Sequence, residues 1–224
     1  MINKIVPSLA QAVADIADGA SILVSGFGGA GLPTQLLDAL AAQGAKNLTI
    51  ISNNAGSGGV GIAKLVLAKQ VRKVVCSFPR QPGSTAFDDL YRSGAIELEL
   101  VPQGTLAERI RAAGAGIGAF YTPTGAGTEL AAGKDSKLID GEEQILEYAI
   151  HADYALIKAH TADRWGNLTY RRSGRNFGPL MATAARCTIA QVSQIVELGG
   201  IDPESVITPG IYVKRVALAE KVAA

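Results

Sequence analysis

Ile22-Leu23-Val24-Ser25-Gly26-Phe27-Gly28-Gly29-Ala30-Gly31-Leu32-Pro33 decides the fold of this 224-residue chain. The apolar triplet reads as a buried strand, the glycines as a loop, and Pro33 as the opening of a helix-period segment over residues 34–42. A strand, a glycine loop and a helix N-terminus in that order let backbone N–H groups approach an anionic or phosphorylated ligand closely. Working outward, apolar runs rich in β-branched residues recur at 48–52, 73–77 and 96–101, with helix-period segments at 60–68, 86–93 and 105–113 between and after them. Strand and helix alternating at this spacing predict an α/β fold, a mainly parallel open sheet with helices on both faces. Beyond Gly114 the rhythm changes: residues 121–127 are turn-forming, and strand-like runs at 144–148, 154–158, 168–171 and 188–192 make the C-terminal half strand-richer. No repeat or long linker interrupts the chain, so a single domain over residues 1–224 is expected.

Charged residues make up 18% of the chain, 21 basic against 20 acidic. That balance offers no basic surplus for a phosphodiester backbone, so nucleic acid is not an expected partner. The stretch between Asp18 and Asp38 carries no charge, but its glycines and proline rule it out as a membrane span. Similar neutral, glycine-centred stretches at 47–63 and 112–128 suggest surfaces that become covered. Ile5, Leu9, Val13 and Ile16 space out an amphipathic helix within residues 1–18, with Asp15 and Asp18 inside it, unlike a signal peptide. Cys76 and Cys187 are far apart in apolar runs and read as buried free thiols of a cytoplasmic protein. His151 and His160 lack neighbouring ligand residues, so no metal site is expected.

Gly26-x-Gly28-x-x-Gly31 matches the dinucleotide-binding fingerprint, which makes a nicotinamide- or flavin-dependent oxidoreductase a rival reading. That fingerprint requires a carboxylate at the end of the second strand to hold the ribose hydroxyls. Here the second strand ends in Ser52-Asn53-Asn54, and Pro33 departs from the usual helix entry.

Asp18-Gly19, the apolar residues 22–24, Gly26-Phe27, Gly31 and Pro33 resemble the first signature of the family I coenzyme A transferases, with Ser25 where that family usually has glycine. Residues 52–56, 101–111 and 121–125 and Asn176-Phe177 resemble the family's A chain, in order and over nearly the whole length. Within the family, residues 77–81, 151–160 and 163–170 are most similar to members that move coenzyme A from succinyl-CoA to 3-oxoadipate in aromatic-compound breakdown, and less to those that use acetoacetate.

The resemblance implies ping-pong chemistry in which a glutamate attacks the acyl-CoA thioester and is converted, through an acyl anhydride, into a glutamyl-CoA thioester. It also implies that this glutamate belongs to a B subunit, as partner in a heterodimer or heterotetramer. The chain agrees by omission, since Glu97, Glu99, Glu108, Glu142 and Glu143 all read as solvated or ion-paired carboxylates. What remains for this chain is the facing half of a pocket. By resemblance, Asn53 and Asn54 line it, and Gln103 and Gly104 supply oxyanion donors. Ser25, Gly26, Phe27, Gly28, Gly29, Ala30 and Gly31 form the coenzyme A loop, coenzyme A being part of the substrate and no permanent cofactor being needed. Phe27 and Phe120 are candidates to shield the anhydride from water, and Arg80, Arg164, Arg171 and Arg175 to hold the second carboxylate of a diacid.

Overall fold

The computed structural model describes residues 2–79 and 86–220. Its strands are β1 (Ser21–Val24), β2 (Leu48–Ile51), β3 (Val71–Cys76), β4 (Glu97–Leu100), β5 (Ala119–Thr122), β6 (Ser136–Ile139), β7 (Glu142–Tyr148), β8 (Ala152–Lys158), β9 (Thr161–Ala162), β10 (Leu168–Thr169), β11 (Ala185–Val192), β12 (Gln194–Ile195) and β13 (Val213–Leu218). The helices are α1 (Leu9–Val13), α2 (Thr34–Gln43), α3 (Ile62–Leu67), α4 (Ala86–Arg92), α5 (Gln103–Gly114) and α6 (Gly178–Thr183).

Seven strands form one parallel sheet in the order β13-β11-β8-β1-β2-β3-β4. From β1 the chain steps outward through β2 and β3 to β4, then returns to lay β8 on the other side of β1 and continues the opposite way to β11 and β13. Such a reversal opens a crevice at the carboxyl ends of the two strands where it happens, here β1 and β8. The glycine loop leaves β1 at that point.

Strand residues alternate between two apolar clusters, as a sheet covered on both faces requires. Ile22, Val24, Ile50, Val74 and Cys76 pack with Leu36, Leu37, Leu40, Ile62, Leu65 and Phe87, which come from α2, α3 and α4. Leu23, Ile51, Val75, Ala155 and Ile157 face Leu106, Ile110, Phe177 and Met181, from α5 and α6 and the residue before α6. Helices therefore lie on both faces, and the direction of winding divides them: crossovers before the reversal use one face, those after it the other.

The C-terminal half is strand-richer, as expected, because two three-stranded sheets, β5-β7-β6 and β10-β9-β12, are added to the main one. The first is fastened to the main sheet by Arg109 of α5, which donates to the Tyr148 carbonyl at 2.6 Å and to Glu99 at 3.0 Å. Burial opposes ionisation of Glu99, but hydrogen bonds from Lys73 and Arg109 outweigh it and hold the carboxyl below its ordinary range. Buried Glu147 is paired with Lys134 at 2.6 Å.

Local departures from the sequence reading have physical causes. The N-terminal helix covers only Leu9–Val13. Pro7 cannot sit inside a helix, and Ser8 caps the helix by accepting from the Gln11 N–H at 3.1 Å. The residues before it lie extended on the edge strand, with Val6 N–H donating to the Val216 carbonyl and Val216 N–H to that of Lys4. Phe120 lies within β5, paired with Glu147, and not in a glycine loop. The turn expected from Tyr121 begins only after Thr122.

Candidate active site

Ser25 follows β1 directly and is fully buried. Its hydroxyl donates to the Gly31 carbonyl at 2.7 Å, and its oxygen accepts the Lys158 N–H at 3.1 Å. One side chain thus closes the glycine loop and ties it to the end of β8, which a glycine at this position cannot do. Inside the loop, Phe27 and Ala30 exchange N–H to carbonyl bonds at 3.0 and 3.2 Å, and Gly28 turns the tip at φ 58°. Phe27 projects outward, half exposed. Asn176 fixes the loop from the far side: its Oδ1 accepts from the Gly26 N–H at 3.2 Å, and its Nδ2 donates to the Ala30 carbonyl at 2.9 Å and to that of Ser173 at 2.8 Å. Gly31 is obligatory here, since a Cβ would meet the Gly174 carbonyl oxygen at 2.5 Å, and φ is 73°.

The helix end after Pro33 corrects the sequence reading. It is not open to an anion, because the Gln35 and Leu36 N–H groups both donate to Gln191 Oε1 at 3.1 Å, while those of Thr34 and Leu37 go to the carbonyls of Leu32 and Pro33. Gln191, buried on β11, occupies the place a pyrophosphate takes in a dinucleotide fold. With the helix end capped and Asn53-Asn54 in place of the acidic residue, the nicotinamide reading loses both features that would hold the cofactor.

A helix end without such a cap at this edge of the sheet is that of α5, next to β4. Its N-cap is Pro102, with no side-chain cap, and Gln103 and Gly104 at its start are exposed. Thr105 Oγ1 behind them is buried without a hydrogen-bond partner. Uncapped N–H groups carrying the positive end of a twelve-residue helix suit the oxygen of a developing oxyanion.

Asn53 and Asn54 follow β2 between these two features, each 6% exposed. Both use their carbonyl ends internally: Asn53 Oδ1 accepts from Ser77 Oγ at 2.9 Å and Asn54 Oδ1 from the Gly56 N–H at 2.9 Å. Their NH₂ groups donate to no described residue, which leaves two amide donors for a carbonyl or carboxylate. Asn54 shares a small cavity with Gly28, Gly29, Ser57 and Val60, and Phe78 beside it is 56% exposed.

The glutamates considered from sequence are accounted for elsewhere. Glu97 pairs with Arg72, Glu99 with Lys73 and Arg109, and Glu108 with Arg111, while Glu142 and Glu143 start β7 in solvent. No three acidic, histidine or cysteine residues gather into a metal-binding group among the described residues. Cys76 is buried, and burial pushes its thiol up to about 12; Cys187 is only half-buried. Arg171 lines a crevice with Gly29–Gly31, Arg175 shares another with Tyr170, and Arg80 falls outside the described residues. Sequence reasoning missed Asn176, Gln191 and His160 as parts of this region. Lys158-x-His160 at a strand end was the available signal for the last of them.

Strand-end amide donors around a crevice suit the oxygens of an acyl group. The match to known proteins agrees: a family model described as coenzyme A transferase covers residues 6–219, and the chain belongs to that family. It is 63% identical, over all of its length and 97% of the relative's, to the A chain of the 3-oxoadipate CoA-transferase of Pseudomonas putida. The A chain of a succinyl-CoA:3-ketoacid coenzyme A transferase of Helicobacter pylori strain J99 is 45% identical over 98% of this chain and 94% of its own. Among solved structures, the thioester complex of an acyl-CoA transferase from E. coli O157:H7 superposes with a TM-score of 0.85 at 26% identity, covering 97% of this chain and 50% of that one.

Proposed function

We propose that this chain is the A component of a 3-oxoadipate CoA-transferase, moving coenzyme A from succinyl-CoA to 3-oxoadipate in the β-ketoadipate route of aromatic breakdown. The full-length 63% identity to a chain of that name carries the substrate assignment. The glutamate nucleophile comes from a B subunit docked over the carboxyl edge of the sheet. It attacks the succinyl-CoA carbonyl, giving an acyl anhydride and free thiolate; the thiolate then attacks the glutamyl carbonyl, releasing succinate and leaving a glutamyl-CoA thioester. The 3-oxoadipate carboxylate repeats the sequence in reverse.

In this scheme Gln103 and the N–H of Gly104 stabilise the oxyanion, and the Asn53 and Asn54 amides orient the acyl group. The Ser25–Gly31 loop positions coenzyme A by shape and by its tip N–H groups, with no contribution from the capped α2. Exposed Phe27, Val60 and Phe78 surround the donors with apolar surface, which supports covering by the partner and exclusion of water. The chain acts as one domain in the cytoplasm; no helix among the described residues is long and apolar enough to cross a membrane.

The test is CoA transfer from succinyl-CoA to 3-oxoadipate and to acetoacetate, by this chain alone and mixed with its B subunit. Activity only in the mixture, with 3-oxoadipate preferred, is the expected result. The Helicobacter relative motivates the acetoacetate arm, and a preference there would keep the mechanism and change the substrate. Turnover by the chain alone would refute the half-site.

A further inference from the structure

Asn53 and Asn54 face opposite sides of the sheet. β2 and β3 stay paired beyond their ends, with Ile51 opposite Val75 and Asn54 opposite Phe78, so Asn53 stands beside Ser77. Side chains alternate between faces along such a pair. Ile51 and Val75 share an apolar cluster with Leu106 of α5, hence Asn53 and Ser77 continue the face on which α5 begins with Gln103. Asn54 turns to the cavity it shares with the glycine loop.

An asparagine amide has a donor end and an acceptor end related by a half turn, and its neighbours decide which end meets a ligand. The main-chain carbonyl of Asn53 already accepts the Ser77 and Phe78 N–H groups, at 3.3 and 3.1 Å. Ser77 Oγ lies 3.1 Å from that same oxygen and 2.9 Å from Asn53 Oδ1. With both lone pairs of the main-chain oxygen taken, the hydroxyl proton goes to Oδ1. That bond holds the acceptor end inward. The NH₂ end has no partner among the described residues and is not one of the side-chain atoms buried without one, so it opens outward. Asn54 needs no such help, because the Gly56 N–H nearby in the chain holds its Oδ1 at 2.9 Å.

We propose that Ser77 is a positioning residue for acyl transfer: its hydroxyl fixes the Asn53 amide with the NH₂ toward the reacting carbonyl, an inference that rests on the transferase reading. A carbonyl oxygen gains negative charge as a carboxylate adds to its carbon, so a donor facing it stabilises the change and an oxygen facing it opposes the change. Without Ser77 neither end of the Asn53 amide has an inward partner, and a half turn that presents Oδ1 to the substrate breaks no bond.

The experiment follows transfer from succinyl-CoA to 3-oxoadipate by the two-chain enzyme carrying Ser77→Ala, Ser77→Thr, Asn53→Ala, or Ser77→Ala with Asn53→Ala. Ser77→Ala should lower kcat about fivefold, as for one neutral hydrogen bond, with both KM values within about twofold of wild type. Ser77→Thr keeps the hydroxyl and should recover most of the loss. Asn53→Ala should cost about 10² in kcat. Adding Ser77→Ala to it should cost less than about 1.5-fold more, because the hydroxyl then has no amide to orient. An unchanged kcat in Ser77→Ala, the same loss in both backgrounds, or full turnover in Asn53→Ala would each overturn the proposal. If the wild-type pair transfers no coenzyme A, the transferase reading falls by itself, and NMR of this full chain then judges the orientation. The Asn53 NH₂ signals, assigned by their loss in Asn53→Ala, should move in Ser77→Ala and stay close to place in Ser77→Thr, while those of Asn54 hold still. Asn53 signals unmoved in Ser77→Ala would overturn it.

Discussion

Asn176→Ala should loosen the glycine loop more than any other single change distant from it in sequence. Four hydrogen bonds end on this side chain: Oδ1 accepts from Gly26 and Phe177 N–H at 3.2 and 2.7 Å, and Nδ2 donates to the Ala30 and Ser173 carbonyls at 2.9 and 2.8 Å. Each such bond is worth about 0.5–1.5 kcal/mol net. Gly26 and Phe177 are buried, so their N–H groups lose a partner that water does not readily replace, whereas the Ser173 carbonyl lies in an exposed residue. The sum is about 2–4 kcal/mol, which at ~2–4 °C per kcal/mol for a chain of this size lowers Tm by roughly 5–15 °C. Urea and thermal unfolding followed by far-UV circular dichroism measure the loss, and KM for succinyl-CoA in the two-chain enzyme measures the loop. Asn176→Asp keeps the acceptor and loses both donors, so it should fall between wild type and alanine. A loss under about 0.5 kcal/mol, together with an unchanged KM, would refute the view that this side chain sets the loop.

Gln103→Ala should reduce kcat by about 10²–10³, the usual cost of an oxyanion donor, while gel filtration shows the two-chain complex intact; full turnover would remove Gln103 from the site. With its thiol pushed up to about 12 by burial, Cys76 should resist a disulfide-exchange reagent at pH 8 until urea unfolds the chain; two thiols titrating in the native state would contradict its burial. Hydrogen bonds from the Ser21 N–H and hydroxyl hold the Asp153 carboxyl below its ordinary range. A depressed carboxylate adds stability above its unfolded pKa, near 4, and loses it as pH falls through the lower folded value. Asp153→Asn should therefore flatten the acid limb of stability against pH below about 4, and an unchanged slope would deny the coupling.

The first half of the fold was legible because its signals are local. Residues 48–52 and 73–77 stand out as apolar runs, and the strands found at Leu48–Ile51 and Val71–Cys76 differ only at their ends. The second half was less legible. β6, β13 and α6 were not read: β6 is mostly exposed, and β13 follows a run of turns. In the site, Asn53, Asn54, Gln103 and Gly104 were readable as strand-end amides and a helix start, with their roles carried by resemblance. The glycine spacing misled on one point, because the residue capping the helix after it lies 156 positions away. Asn176 is equally remote at 150 positions from Gly26. Periodicity describes neighbours along the chain and is silent on a side chain delivered by a distant strand.

The Gln191 cap has a consequence for biosynthesis. When the ribosome has released only the first four strands, β1 is still an open edge, because its second neighbour β8 has not been made, and the start of α2 lacks the amide that will satisfy it. The nascent half-sheet thus exposes a strand able to pair with another chain. Completion of β8 and β11 closes that edge and caps that helix together, so the last third of the polypeptide acts as the built-in guardian of the first.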